Sequence, residues 1–185
     1  MKKVVIGLIS KMAGGKDTIK KYLEENYAAK SCRFSSILRD NLDRLFIEKS
    51  RDNLQKLSVS LRQTFGDDIL AKTIAKEVDS LKSDLVVVDG VRRPADIKYL
   101  KKLDNFFLIK IIADEKIRYQ RAVLRNENPG DDKKSFATFL NDHKKEAESK
   151  IPEVMKEADF TIDNNGSFSD LYKQIDKIIK ERQNS

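Results

Sequence analysis

The run Val4-Val5-Ile6-Gly7-Leu8-Ile9 leads directly into Ser10-Lys11-Met12-Ala13-Gly14-Gly15-Lys16-Asp17-Thr18, and then into a segment carrying Ile19 and Tyr22 at helical spacing. A strand-length β-branched run, a glycine-punctuated turn and a helix form the first unit of an alternation that continues along the whole chain. Strand-length runs recur at Lys30–Phe34, Asp84–Gly90, Phe106–Ala113 and Phe160–Asp163, the second of the five being weak and short. Between them lie segments of helical period: Lys16–Glu25, a long middle section through Leu38, Leu42, Leu57, Leu61 and Phe65, and a helix opened by Asp67 or Asp68. Further helices are expected after Pro94, over Glu115–Arg125 and Phe136–Lys150, from the break at Pro152 to Ala158, and from about Ser169 to Lys180. Strands alternating with helices imply an α/β protein: a three-layer, doubly wound sheet of about five parallel strands. No repeat or linker interrupts the pattern, and 185 residues suit one domain.

Composition narrows the chemistry. Cys32 and His143 are the single cysteine and histidine. A disulfide within the chain and a Cys/His zinc cage are therefore excluded by count. His143 sits in Asn-Asp-His-Lys-Lys, which reads as a solvated helix face. The longest apolar stretches are far below the roughly 20 residues that span a bilayer. The short apolar run after Met1-Lys2-Lys3 has no small-x-small cleavage site, so a cytoplasmic protein is expected. The 37 basic against 30 acidic residues leave a net charge of +7, compatible with nucleic acid, an anionic surface or a polyphosphate ligand.

The first turn favours the polyphosphate. In the Walker A pattern Gly-x4-Gly-Lys-Ser/Thr, small residues let successive backbone N–H groups curl around phosphate oxygens, the helix N-terminus adds its positive dipole end, and the lysine reaches the outer phosphates. Here Ser10 stands at the first glycine and Asp17 at the magnesium-binding hydroxyl, with Thr18 one position later. The expected phosphate cradle is Ala13, Gly14, Gly15, Lys16, Asp17 and Thr18.

With this loop go Val86-Val87-Val88-Asp89-Gly90-Val91-Arg92-Arg93-Pro94, the arginines 118, 121 and 125 entering the turn-rich Asn126–Ser135, and Ala158-Asp159-Phe160-Thr161-Ile162-Asp163-Asn164-Asn165-Gly166-Ser167. In order and spacing the chain resembles the P-loop nucleoside and nucleotide kinases: adenylate kinase-like, deoxynucleoside monophosphate kinase-like and dephospho-CoA kinase-like enzymes. The Gly-Lys-Asp-Thr loop is similar to that of deoxynucleoside monophosphate kinases, and the last segment to that of dephospho-CoA kinases.

The resemblance implies ATP and Mg²⁺ as cofactors and a small nucleotide as acceptor, a (deoxy)nucleoside monophosphate ahead of dephospho-CoA. It implies a helical acceptor region over residues 36–82 and a lid over 118–150. Phosphoryl transfer needs positioning and cationic stabilisation. That assigns Lys16 to the outer phosphates, Asp89 to a magnesium-bound water or the acceptor proton, and Arg121 and Arg125 to the lid. Asp17 and Asp89 would hold the metal, Asn165 would lie at the adenine side, and Arg39, Arg62, Arg92 and Arg93 would grip the acceptor. Two other classes stay open: a nucleotide-binding regulator without turnover, and a nucleic-acid-binding module. The spread of basic residues over many helices and the lack of a zinc-finger or RRM signature argue against the second. Membrane association is not expected, and the assembly would be a monomer or homodimer.

Overall fold

Alternation along the strands divides the apolar side chains between two faces, and the helices form to cover both. The computed structural model describes residues 3–125, 135–142 and 149–183. Five strands, β1 Val4–Ser10, β2 Lys30–Arg33, β3 Leu85–Asp89, β4 Phe106–Ile112 and β5 Phe160–Asp163, make one parallel sheet in the order β2-β3-β1-β4-β5. The doubly wound expectation is met. β1 lies in the middle, in register with β3 through Val4↔Leu85 to Gly7↔Val88 and with β4 through Val5↔Phe106 to Ser10↔Ile111.

Val5, Ile9, Val86, Val88 and Leu108 point to one face, where they meet Leu38, Ile74, Ile97 and Val154. Val4, Ile6, Leu8, Val87 and Ile109 point to the other, where they meet Ile19, Leu23, Ile175 and Ile179. The first face is covered by α2 Phe34–Arg44, α3 Arg51–Phe65, α4 Ile69–Ser80, the short α5 Pro94–Ile97 and α8 Ile151–Met155. The second is covered by α1 Lys16–Tyr27 and α9 Phe168–Gln183. Remaining are α6 Glu115–Arg125 and α7 Phe136–Asp142, joined by the Tyr119 ring against Phe136 and the fully buried Phe139.

Because β1 feeds a helix on one face and β3 a helix on the other, their connections diverge at the carboxyl ends. That opens a crevice of the kind where α/β sheets bind ligands. Tyr22 and Tyr27 both donate to the Asp176 carboxylate at 2.7–3.0 Å, tying α1 to α9 and so fixing the axis of the helix that starts at the crevice. Burial and that carboxylate push both phenols up, keeping them neutral donors.

Several boundaries differ from the sequence reading. The second strand ends at Arg33, and Phe34, expected as its last residue, begins α2 with its ring in the first core. The last helix is longer than expected, Phe168–Gln183. Of the helix expected over 136–150, α7 covers Phe136–Asp142. Residues 143–148, with His143, and positions 126–134 of the turn cluster Asn126–Ser135 lie outside the described residues, and with them part of the lid expected over 118–150. Among the described residues no helix is long and apolar enough to cross a membrane.

Candidate phosphate-binding site

The loop between β1 and α1 is wound tightly. Ala13 and Gly15 both have left-handed backbone, φ 57° and 108°, and Gly14 donates its N–H to the Lys11 carbonyl at 3.0 Å. Gly14 packs so closely on Ser10 that a Cβ there would lie 2.7 Å from the Ser10 Cβ. At Gly15 two constraints coincide, since a Cβ would lie 2.1 Å from Asn164 Nδ2 and φ is positive. Gly15→Ala is therefore expected to displace the loop and weaken ATP binding about tenfold or more, given a left-handed penalty of roughly 1–2 kcal/mol before the clash is counted. Titration calorimetry with ATP checks this.

No side chain caps α1. The N–H groups of its first turn have no intrahelical partner and carry the positive end of the helix dipole. Lys16 Nζ reaches back across the loop to 3.8 Å from Asp89 Oδ1. Asp89, at the end of β3, is 1% exposed and is contacted on its other oxygen by Arg33 Nε at 3.1 Å. A buried carboxylate is thus held between two cations that both stay partly exposed. Asp17 pairs with Arg125 at 3.1 Å, about half exposed on both sides.

The α6 arginines fall on one stripe, at spacings of three and four, and face the loop. Arg118, 2% exposed, donates from Nε to the Ala113 carbonyl and from Nη1 to the Met12 carbonyl. Arg121 donates from Nη2 to the Asn164 carbonyl at 3.0 Å, while its buried Nη1 has no hydrogen-bond partner. The buried Ser10 hydroxyl has none either. Arg118 lies inside the protein holding the loop, where the sequence reading placed it with the lid arginines.

The acceptor arginines divide. Arg39 and Arg92 are exposed and Arg93 half-buried. Arg92 and Arg93 both donate their backbone N–H groups to the Asp96 carboxylate at 3.0 Å, which caps α5. Arg62 differs: it is buried, pairs with Asp96 at 2.9 Å and also donates to the Asp67 carbonyl. Its charge is consumed in joining α3 to α5. Arg62→Ala is expected to cost roughly 3–5 kcal/mol of stability, as removal of one member of a buried pair does. ATP affinity of the folded fraction should be unchanged, measured by urea unfolding and calorimetry.

Two residues that the sequence reading passed over belong to this site, Arg33 and Asn164. Asn165, singled out there, is exposed and accepts from the Asp114 N–H at 2.7 Å. Its neighbour Asn164 is buried and donates to the Gly14 carbonyl at 2.9 Å. The alternation of β5 carries the signal, since burial runs Ile162, Asn164 with Asp163 and Asn165 outward. Beside the loop, a cavity of about 380 Å³ is lined by Asp17, Thr18, Tyr22, Phe168 and Tyr172. Cys32 supplies no nucleophile, because burial and then Glu77 push its thiol up to about 12.

Sheet order and the β1–α1 loop together define an α/β fold like that of the P-loop kinases. Shikimate kinase from Bacteroides thetaiotaomicron superposes with a TM-score of 0.63 over 97% of this chain and 98% of that one, at 13% identity. A gluconokinase from Sinorhizobium meliloti superposes with a TM-score of 0.58 over 98% and 94%, at 10% identity. By sequence the chain belongs to the UPF0200 family: it is 30% identical over 175 residues to a UPF0200 protein of Saccharolobus islandicus, covering 92% of this chain and 90% of that protein. A UPF0200/UPF0201 protein of Archaeoglobus fulgidus is 31% identical over 147 residues, and that match takes in 77% of this chain but only 45% of the longer relative. No protein-family model matches the chain.

Proposed function

We propose that this chain is an ATP-dependent phosphotransferase that moves the γ-phosphate to a small nucleotide, a (deoxy)nucleoside monophosphate ahead of dephospho-CoA. The observation that carries the reading is the set of unmet donors around the loop: the uncapped first turn of α1, the buried Ser10 hydroxyl and the buried Arg121 Nη1. Buried polar groups are almost always satisfied, and of the three buried side-chain donors without a hydrogen-bond partner among the described residues, Ser10 Oγ and Arg121 Nη1 lie at this loop while Arg62 Nε lies apart from it; unmet donors around a wound loop and a helix N-terminus are what an anion-binding site presents.

In this reading Lys16 and the α1 amides hold the donor phosphates, Arg121 and Arg125 close over them from α6, and the base lies in the cavity beside Thr18 and Phe168. Arg33, Arg39, Arg92 and Arg93 make the acceptor side basic, which suits a phosphate-bearing acceptor. Among the described residues no three His, Cys, Asp or Glu side chains form a metal cluster. That fits Mg²⁺, which takes one or two carboxylates and fills its other positions with phosphate oxygens and water. Asp89, whose Oδ2 lacks a well-formed hydrogen bond, is the residue best placed for it, with Asp17 joining once Arg125 is drawn to phosphate. Bound there, the metal would neutralise charge developing on the transferred group.

The test is ADP release from ATP·Mg²⁺ with ribo- and deoxyribonucleoside monophosphates, dephospho-CoA and, because of the structural neighbour, shikimate. A monophosphate giving the fastest turnover supports the reading. ATP binding without turnover on any acceptor points to the regulator, and absence of ATP binding sinks both.

A further inference from the structure

A loop that binds anions through backbone N–H groups must send its carbonyl oxygens elsewhere. In a trans peptide the C=O of one residue and the N–H of the next point in opposite directions. Each carbonyl drawn outward therefore turns the following amide inward. Two loop carbonyls are drawn outward by buried side chains. Met12 O accepts from Arg118 Nη1 at 3.2 Å, and Gly14 O accepts from Asn164 Nδ2 at 2.9 Å. The following amides are those of Ala13 and Gly15, the two residues of this loop with left-handed backbone. The amide between them, Gly14 N–H, is committed to Lys11 O.

Both anchors are held from behind. The Asn164 backbone N–H donates to Ile112 O at 2.8 Å and its carbonyl accepts from Arg121, so the residue is pinned between the end of β4 and α6. Arg118 is fixed by its Nε bond to Ala113 O and by Glu115 at 3.7 Å. We propose that Asn164 and Arg118 are positioning residues of the phosphate loop: by holding the Gly14 and Met12 carbonyls outward they aim the Gly15 and Ala13 amides at the phosphates, leaving Gly14 out of the donor set. This rests on the phosphate-binding reading above. It narrows the cradle expected from sequence, which ran unbroken from Ala13 to Thr18.

The experiment uses the full chain and two ligands, ATP and inorganic tripolyphosphate, with Asn164→Ala and Asn164→Asp. Loss of one buried hydrogen bond should weaken both ligands by a similar factor, about five- to tenfold for Asn164→Ala. Asn164→Asp should do worse, because a carboxylate repels the Gly14 carbonyl and the phosphates alike. A purely structural asparagine would lower the melting temperature and leave affinity of the folded protein unchanged. In wild-type protein labelled with ¹⁵N, tripolyphosphate should move the Ala13 and Gly15 amide protons downfield and the Gly14 proton much less, a readout that holds even where the variants fail to fold. Binding of tripolyphosphate by Asn164→Ala within twofold of wild type, or a Gly14 shift as large as its neighbours', overturns the positioning role. Failure of the wild type to bind either ligand overturns the phosphate site itself.

Discussion

Lys16→Met is expected to abolish ADP production, a fall of roughly 10³-fold or more, while the melting temperature stays within a few degrees of wild type. The size follows from what the reaction demands. Charge spreads over the oxygens of the transferred group, and removing one preorganised donor at such a centre costs about 10²–10³-fold. Lys16 would also contribute to binding the outer phosphates before any chemistry, so the loss in kcat/KM should exceed that in kcat. The small effect on stability follows from geometry. Nζ lies 3.8 Å from Asp89 with the lysine side chain 24% exposed, a loose and partly solvated pair, and Arg33 remains on the same carboxylate. Lys16→Arg should not restore activity, because a planar guanidinium on a longer stem cannot take the place of a compact ammonium inside a wound loop. ADP production by Lys16→Met at a tenth of the wild-type rate or better would remove Lys16, and the loop with it, from the chemistry.

Much of the architecture was legible because it is written locally. β1 and β3 are runs in which every residue is buried, and β4 has a buried apolar centre at Phe107, Leu108 and Ile109, so their hydrophobicity stands out. β2 was marginal for a physical reason: only Cys32 of its four residues is buried, as befits an edge strand. What escaped was decided by non-local pairing. Arg33 lies opposite Asp89 only because β2 and β3 are in register, a relation across 56 positions that no motif announces. Arg62 read as a cation for the acceptor because the sequence does not show that Asp96, 34 residues away, neutralises it inside the fold. Arg118, Arg121 and Arg125 lead in sequence into the turn cluster that follows them, which is where the resemblance sets a lid. Their three-and-four spacing also fits a helix face turned back on the phosphate loop, and the partners at Met12, Asn164 and Asp17 settle the direction. At Asn164 and Asn165 the two readings differed by one residue, which at a strand end is the difference between inward and outward.

Asp89→Asn is the second large effect expected, and it separates binding from turnover. Asparagine keeps the shape of the side chain and removes its charge, so no cavity opens in the buried end of β3. The two cations it leaves, Lys16 and Arg33, are 24% and 45% exposed and can turn to water. The stability loss should therefore fall below the roughly 3 kcal/mol typical of breaking a fully buried pair. ATP affinity measured in EDTA should hold or tighten, since a negative charge has been taken from beside the phosphates and Lys16 no longer divides its attraction between carboxylate and nucleotide. Turnover with Mg²⁺ should fall by roughly 10²–10⁴-fold, the range for a positioned acid, base or metal-holding group. Those two shifts in opposite directions are the signature of a carboxylate that serves the reaction. If Asp89 only terminated a strand and braced Lys16, Asp89→Asn would lower the melting temperature and weaken ATP binding while leaving kcat of the saturated enzyme near wild type. Calorimetry in EDTA beside steady-state rates in Mg²⁺ distinguishes the two, and an unchanged kcat removes Asp89 from the catalytic set whatever happens to stability.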